Sequence, residues 1–415
     1  MPGFQSPRLG RSLVPLLTTT VAAMGGPAAN AGNDPDRPAS RWKIGTPIVT
    51  YWAGPPLSEA TARQMAEGNW NLVWCDEKQL DIAHRYGLRG QLVDGLLSPQ
   101  TLEDAARREQ LEALIERVKK HPALYSYFIT DEPNASAFPA LGKLVAYLRE
   151  RDPDHLAYIN LFPTYASNEQ LGTQGDTVTA YREHLRQYLE IVKPDLLSYD
   201  HYHFTANGDG NQYFLNLAMI RQAALEAGLP FLNIVQACSW TPSMRIPKGE
   251  ELRWLVYTSL AYGAQGLSYY VYCHPGHEGA MAYADGTPTA LYYAAKTLNR
   301  DFAAIAAQLQ PLTSLGAYHV GPIPWGAEAL PEGAPFYLEG VPEKGMVLGY
   351  FGSPGHPTHV VVVNLDYTRE VTTTLVGPGP LHLFHPDTGA WPPVGGPRAE
   401  LRLPPGGGQL LRVRR

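Results

Sequence analysis

Cysteine is scarce in this chain: three in 415 residues, at positions 75, 238 and 273. Three scattered thiols exclude a disulfide framework, and no C-x-x-C pair offers a structural zinc site. Charged residues are also few, at 17%, with a formal net charge of −6 and no block of lysine or arginine. That excludes the basic footprint expected of a nucleic-acid-binding protein. No glycine-rich phosphate loop follows the first strand-like run, which argues against a doubly wound nucleotide-binding sheet. What is there is 44% hydrophobic, the composition of a packed globular protein and not of a disordered one. A chain of 415 residues is long enough for a large barrel and a small second domain. A Cys238–Cys273 bridge is open to it, since both thiols end neighbouring strand-like runs; buried free thiols are the plainer expectation.

The N-terminus reads as a targeting segment. Arg8 and Arg11 precede an apolar stretch from Leu13 to Met24 that is too short to span a bilayer. Ala29-Asn30-Ala31 then fits a small-residue cleavage site. Residues 1–31 are therefore expected to be a signal peptide and 32–45 a linker, with the mature protein secreted or periplasmic. No other segment is a candidate membrane span.

From there, short apolar runs alternate with helical patterns eight times. The strand candidates are Pro47–Tyr51, Asn71–Cys75, Gly90–Val93, Leu124–Ile129, Ala157–Leu161, Leu196–Tyr199, Phe231–Val235 and Gly266–Tyr272. Continuous apolar runs of this length suit strands buried on both faces. Between them, Leu111, Leu114, Ile115 and Val118 fall on one helical stripe, as do Tyr181, Leu185, Tyr188 and Val192. Gly228 and Gly263 are placed to stop helices. Eight strand–helix pairs predict a (β/α)8 TIM barrel over residues 46–311. Beyond 312 the pattern turns to alternating strands rich in glycine and proline, such as Met346–Tyr350, His359–Asn364 and Gln409–Val413. This predicts a small all-β sandwich over 312–415.

Barrel chemistry sits at the C-terminal ends of strands, so the residues there are the candidates. The fourth run ends in Thr130-Asp131-Glu132-Pro133. Adjacent carboxyls raise each other's pKa, and a carboxyl protonated near neutrality can serve as a general acid. Glu132 is the candidate acid; Asp131 is an orienting group, or a cap for the helix that follows. The sixth run ends in Asp200-His201-Tyr202-His203, which makes Asp200 a second carboxylate and His201 and Tyr202 candidate walls of a binding site. His201 and His203 lack a third ligand at metal spacing, so no metal is expected. Tyr51, Trp74, Trp240 and Tyr270 end other runs and are candidates for stacking on sugar rings.

These residues resemble glycoside hydrolase clan A, especially barrel enzymes of the family 42 β-galactosidase type. Asp131-Glu132-Pro133 is similar to the clan's Asn-Glu-Pro, whose Glu is the acid/base. The passage from Leu252-Arg253-Trp254 through Tyr262-Gly263 to Tyr269, the Asp285-Gly286-Thr287-Pro288 turn and the sandwich tail add to the likeness. The resemblance implies a hydrolase of O-glycosidic bonds in oligo- or polysaccharides, with a carbohydrate as partner and no cofactor. Two positions depart from it. Asp131 replaces Asn, and Gln236 stands where the clan keeps a nucleophilic Glu; an amide cannot be that nucleophile. Asp200 could then be the nucleophile, or the base of an inverting pair. Alternatively the Asp131-Glu132 pair is similar to that of family 20 and family 123 hexosaminidases, where the substrate's acetamido group attacks. A third reading is a catalytically inactive barrel that binds glycans; Gln236 is in any case a candidate substrate-binding residue.

Overall fold

The computed structural model describes residues 39–413, so the leader expected at 1–31 lies outside the described residues. Eight short parallel strands form the first sheet: β1 (Ile48–Trp52), β2 (Leu72–Cys75), β3 (Arg89–Leu92), β4 (Leu124–Asp131), β5 (Leu156–Leu161), β6 (Leu197–His201), β7 (Phe231–Gln236) and β8 (Gly266–Tyr270). From β2 to β8 each pairs with the next in the chain, and β8 returns to β1 in the register Ile48–Gly266 to Trp52–Tyr270. The last seam, β1 to β2, is closed largely by side chains. The Asn71 carboxamide oxygen accepts from the Val49 N–H (3.0 Å), the Asn71 N–H donates to the Val49 carbonyl (3.0 Å), and the Thr50 hydroxyl donates to the Leu72 carbonyl (2.9 Å).

The expected barrel therefore forms, and strand composition explains it. One face of each strand looks into the lumen, where Ile48, Leu72, Leu156, Tyr158, Leu232 and Ile234 pack together. The other face, with Val49, Val73, Leu161, Val235 and Leu267, packs on the surrounding helices. Both faces are apolar because neither meets water. Polar caps start the helices: Ser58, Asp104 and Asp176 accept backbone N–H groups at the first turns of Glu59–Glu67, Ala105–Val118 and Thr177–Gln187. Gly228, in the left-handed conformation, ends the helix Tyr213–Ala227.

Residues 39–45, expected as linker, instead form a plug. Trp42 and Ile44 are buried among the lumen residues. Trp42 meets Tyr125 edge-on at 5.7 Å, the Tyr125 hydroxyl donates to the Ile44 carbonyl (2.9 Å), and Arg89 donates to the carbonyls of Ile44 and Thr46. The plug packs into the N-terminal end of the barrel, opposite the strand ends that carry Asp131, His201 and Tyr270.

After the helix Ala290–Leu309 the chain enters the β domain. β9 (Thr313–Val320), β11 (Met346–Ser353), β12 (His356–Asn364), β14 (Leu381–Leu383) and β16 (Gly408–Val413) make one sheet, in the order β9-β11-β12-β16-β14. β10 (Tyr337–Glu339), β13 (Val371–Val376) and β15 (Arg398–Leu403) make the other. Leu338, Met346, Leu348, Val362, Leu401 and Leu411 fill the space between them. The opposite face of β11 and β12 (Val347, Phe351, Val361, Val363) packs toward the barrel. Gly349 permits that approach: a Cβ there would lie 2.1 Å from the carbonyl oxygen of Ala261.

The three cysteines are free, so the Cys238–Cys273 bridge does not form; Cys75 and Cys238 are buried thiols. Among the described residues no helix is long and apolar enough to cross a membrane.

Candidate active site

The acids at the end of β4 owe their position to two irregularities. The pairing of β4 with β5 slips between Phe128 and Thr130, so that Asp131 comes opposite Asn160. A bulge of this kind re-aims the side chains that follow it. Glu132 then adopts φ +41°, the left-handed region that a non-glycine residue rarely enters. Its N–H donates to the Asn160 carbonyl (2.9 Å), which holds the turn. The cap of the next helical turn is Asn134, whose side chain accepts from the Ser136 N–H (2.9 Å). Asp131 is thus not engaged as that cap.

Asn160, on β5, ties the acids together. Its Nδ2 donates to Asp131 Oδ1 (3.0 Å) and to Asp200 Oδ1 (2.9 Å). Its own oxygen accepts from the Ser198 hydroxyl (2.9 Å), and Ser198 meets the Tyr158 hydroxyl at 2.8 Å. Asp200 is buried, whereas Asp131 reaches the open cleft and Glu132 is half-buried between them.

The electrostatics follow from this crowding. Burial, and then the charge of Asp131, push the Glu132 carboxyl up to about 7, opposed by its contact with Asp200. Asp200 is pushed well above the usual carboxylate range by burial first, then by the charges of Glu132 and Asp131. Asp131 is exposed at its surface, yet the groups crowded around its carboxyl strip enough water from it to raise it, against the Asn160 and Glu132 N–H groups that favour its charge. The pair Glu132–Asp200 titrates as a unit.

No family model matches this chain, and no curated protein does. Among solved structures it is similar to a protein from Bacteroides thetaiotaomicron assigned as an α-L-fucosidase (14% identity, TM-score 0.44, covering 67% of this chain and 100% of that one). It is also similar to a GH99 endo-α-mannosidase from the same organism (15%, 0.42, 60% and 80%) and to a glycoside hydrolase family 5 mannosidase from Rhizomucor miehei (11%, 0.40, 60% and 88%).

Two groups of aromatic rings stand at the C-terminal ends of the strands. Tyr202, Trp240 and Tyr270 are half-buried and touch one another, with ring centres 4.7–4.9 Å apart. Trp74 packs on Phe128 (4.8 Å) and on Trp52 (5.0 Å), and donates its indole N–H to the Tyr51 carbonyl (2.7 Å).

Three expected binding residues are placed otherwise. The Tyr51 side chain is buried on the helix-facing side of β1, against Tyr272 at 5.1 Å; strand alternation sends its neighbour Trp52 to the lumen instead. His201 is likewise buried on the outer side of β6. Its Nδ1 lies 2.9 Å from Asn216 Oδ1, on the helix Tyr213–Ala227, and burial lowers it to about 3. Gln236 is fully buried and its carboxamide is consumed by backbone. It accepts from the Phe204 N–H (2.8 Å) and donates to the carbonyls of Arg245 (2.8 Å), Phe204 (3.0 Å) and Cys238 (3.3 Å). It clamps the loops after β6 and β7 together and offers nothing to a ligand.

Other residues of the mouth escaped the sequence reading. Asn160, Ser198 and Tyr158 sit on the lumen parity of their strands, and a polar residue ending an apolar run of alternating parity was the available signal. Tyr165, on the loop after β5, accepts from the Tyr202 N–H (3.3 Å) and lies close enough to Asp200 and Glu132 to feel both charges. No local pattern marks it. A cavity of about 590 Å³ at the plugged end of the barrel, lined by Trp42, Arg221, Gln265 and Ser314 among others, holds no such group of acids.

Proposed function

We propose that this protein is an exported glycoside hydrolase that cleaves O-glycosidic bonds at the C-terminal mouth of its barrel, with Glu132 as general acid/base. The observation that carries the reading is the Asp131–Glu132–Asp200 cluster, in which Glu132 is held partly protonated near neutral pH at the open end of the barrel. Aromatic rings at the same strand ends as the acid suit a sugar ring. The leader sequence supports export.

The same cluster favours one form of the chemistry. Paired carboxylates that work across a sugar ring stand about 5–5.5 Å apart in retaining enzymes and about 6.5–9.5 Å apart in inverting ones. Glu132 and Asp200 act on each other as hydrogen-bonding neighbours, which matches neither spacing. β7 supplies a consumed amide in place of a second acid. Asp131 is the carboxylate open to the cleft. We therefore favour a 2-acetamido sugar whose own carbonyl oxygen attacks C1. In the first step the C1–O bond to the leaving group breaks, Glu132 gives its proton to that oxygen, and the bicyclic oxazolinium forms. Asp131 accepts the acetamido N–H and balances the charge. In the second step water adds to C1, Glu132 takes its proton, and the acetamido group is restored with the anomeric configuration retained.

The test is hydrolysis of aryl 2-acetamido-2-deoxyglycosides beside the parent glycosides, with NMR of the first-formed anomer. Cleavage confined to the acetamido sugars with retention is expected. Equal cleavage of both sets would refute substrate assistance, and no cleavage of any glycoside would favour a glycan-binding barrel.

A further inference from the structure

Asp200 is an unusual group to find beside a catalytic acid. It is 2% exposed and its Oδ2 is buried with no N–H or hydroxyl donor. Asn160 from β5 is hydrogen-bonded to it, and the groups near enough to act on it electrostatically are the carboxyls of Asp131 and Glu132 and the phenols of Tyr158, Tyr165, Tyr181 and Tyr202. None of these is a cation. Two carboxylates in contact without a cation cannot both be ionised; one proton must lie between them.

Hydrogen-bond accounting says where that proton sits. Ser198 has one hydroxyl proton and gives it to Asn160 Oδ1, so Tyr158 is the donor in the Tyr158–Ser198 bond. This orients the Asn160 carboxamide with its NH₂ toward the acids. One N–H goes to Asp131 Oδ1 and the other to Asp200 Oδ1. Since Asp200 Oδ1 is held as an acceptor, the proton belongs on Oδ2, the oxygen that has no other partner.

We propose that Asp200 is a positioning residue that stays protonated and donates a hydrogen bond from Oδ2 to the Glu132 carboxyl, with the Tyr158–Ser198–Asn160 chain fixing which oxygen carries the proton. Asp200 neither attacks the sugar nor takes a proton from water. Its O–H holds one oxygen of Glu132 and leaves the other for the glycosidic oxygen, while the second N–H of Asn160 favours the charged form of Asp131. This rests on the reading of Glu132 as the acid, and deepens it.

The experiment pairs two readouts. Carbon-13 NMR of the labelled side-chain carboxyls follows protonation in the free protein and needs no substrate. One aspartate signal should remain protonated through neutral pH and vanish in Asp200→Asn. The second readout is the pH–rate profile. Asp200→Asn keeps an N–H donor aimed at Glu132, so its kcat should fall less than about tenfold and its alkaline limb should stay in place. Asp200→Ala removes the donor; a hydrogen bond to a charged group is worth roughly 10–100-fold, so kcat should fall by about that much and the alkaline limb should move to higher pH. An ionised Asp200 at neutral pH, or an Asp200→Asn variant as inactive as Asp200→Ala, would overturn the proposal. A protonated Asp200 in a protein that hydrolyses no glycoside would support the proton placement and count against the hydrolase reading alone.

Discussion

Replacing Gln236 with glutamate supplies the carboxyl that strand seven lacks, and the structure says that it should damage the protein instead of activating it. The side chain is fully buried, and its NH₂ serves the carbonyls of Phe204, Cys238 and Arg245. A carboxylate would set an oxygen against those carbonyls, so the introduced carboxyl must stay protonated in the fold, with one O–H in place of two N–H groups. At least one carbonyl is then left unpaired, at about 1–3 kcal/mol. The protonation adds a term that grows with pH. The folded-state pKa is raised above its unfolded value of about 4.3, so the variant loses stability as pH climbs from there toward the folded value, by about 1.4 kcal/mol for each pH unit. The loss relative to wild type should be about 1–3 kcal/mol near pH 4 and roughly 4–7 kcal/mol near pH 7. Denaturant unfolding of both proteins across that range measures it. A Gln236→Glu protein as stable as wild type at neutral pH would refute the clamp, and a gain in hydrolysis would place position 236 in the mechanism after all.

Glu132→Gln keeps the shape and removes the proton, so hydrolysis of substrates with poor leaving groups should fall roughly 10²–10⁴-fold while activated aryl glycosides suffer less; equal losses on both would count against an acid role. In the wild type the acid must be protonated, so kcat/KM should fall above about pH 7 as Glu132 loses its proton, and a flat profile through that range would contradict the raised pKa. Gly349→Ala places a methyl group 2.1 Å from the Ala261 carbonyl; overpacking of this kind costs about 1–3 kcal/mol, and an unchanged melting temperature would show that the sandwich does not dock so closely.

Much of the architecture was determined along the chain. Period and length sufficed for the eight strands, because a strand buried on both faces has to be a short apolar run whatever its partners are. The same holds for β11 and β12, although β9, β10 and β15 passed unnoticed; the alternation Ala399, Leu401, Leu403 was there to be read. The acid pair at 131–132 was also legible, since two carboxyls directly after an apolar strand stand out in any sequence. Side and partner were not legible. Tyr51 and Trp52 are adjacent aromatics, and only closure of the barrel decides which one faces the lumen. Asn160 lies 29 residues from Asp131 and 40 from Asp200, and only the stagger of three parallel strands brings its carboxamide between the two acids. In sequence Gln236 marks only the absence of a nucleophile; the tertiary fold surrounds its carboxamide with three carbonyls. Local sequence carries propensity and chemical type, whereas burial, hydrogen-bond partners and protonation depend on contacts that exist only once the strands have closed.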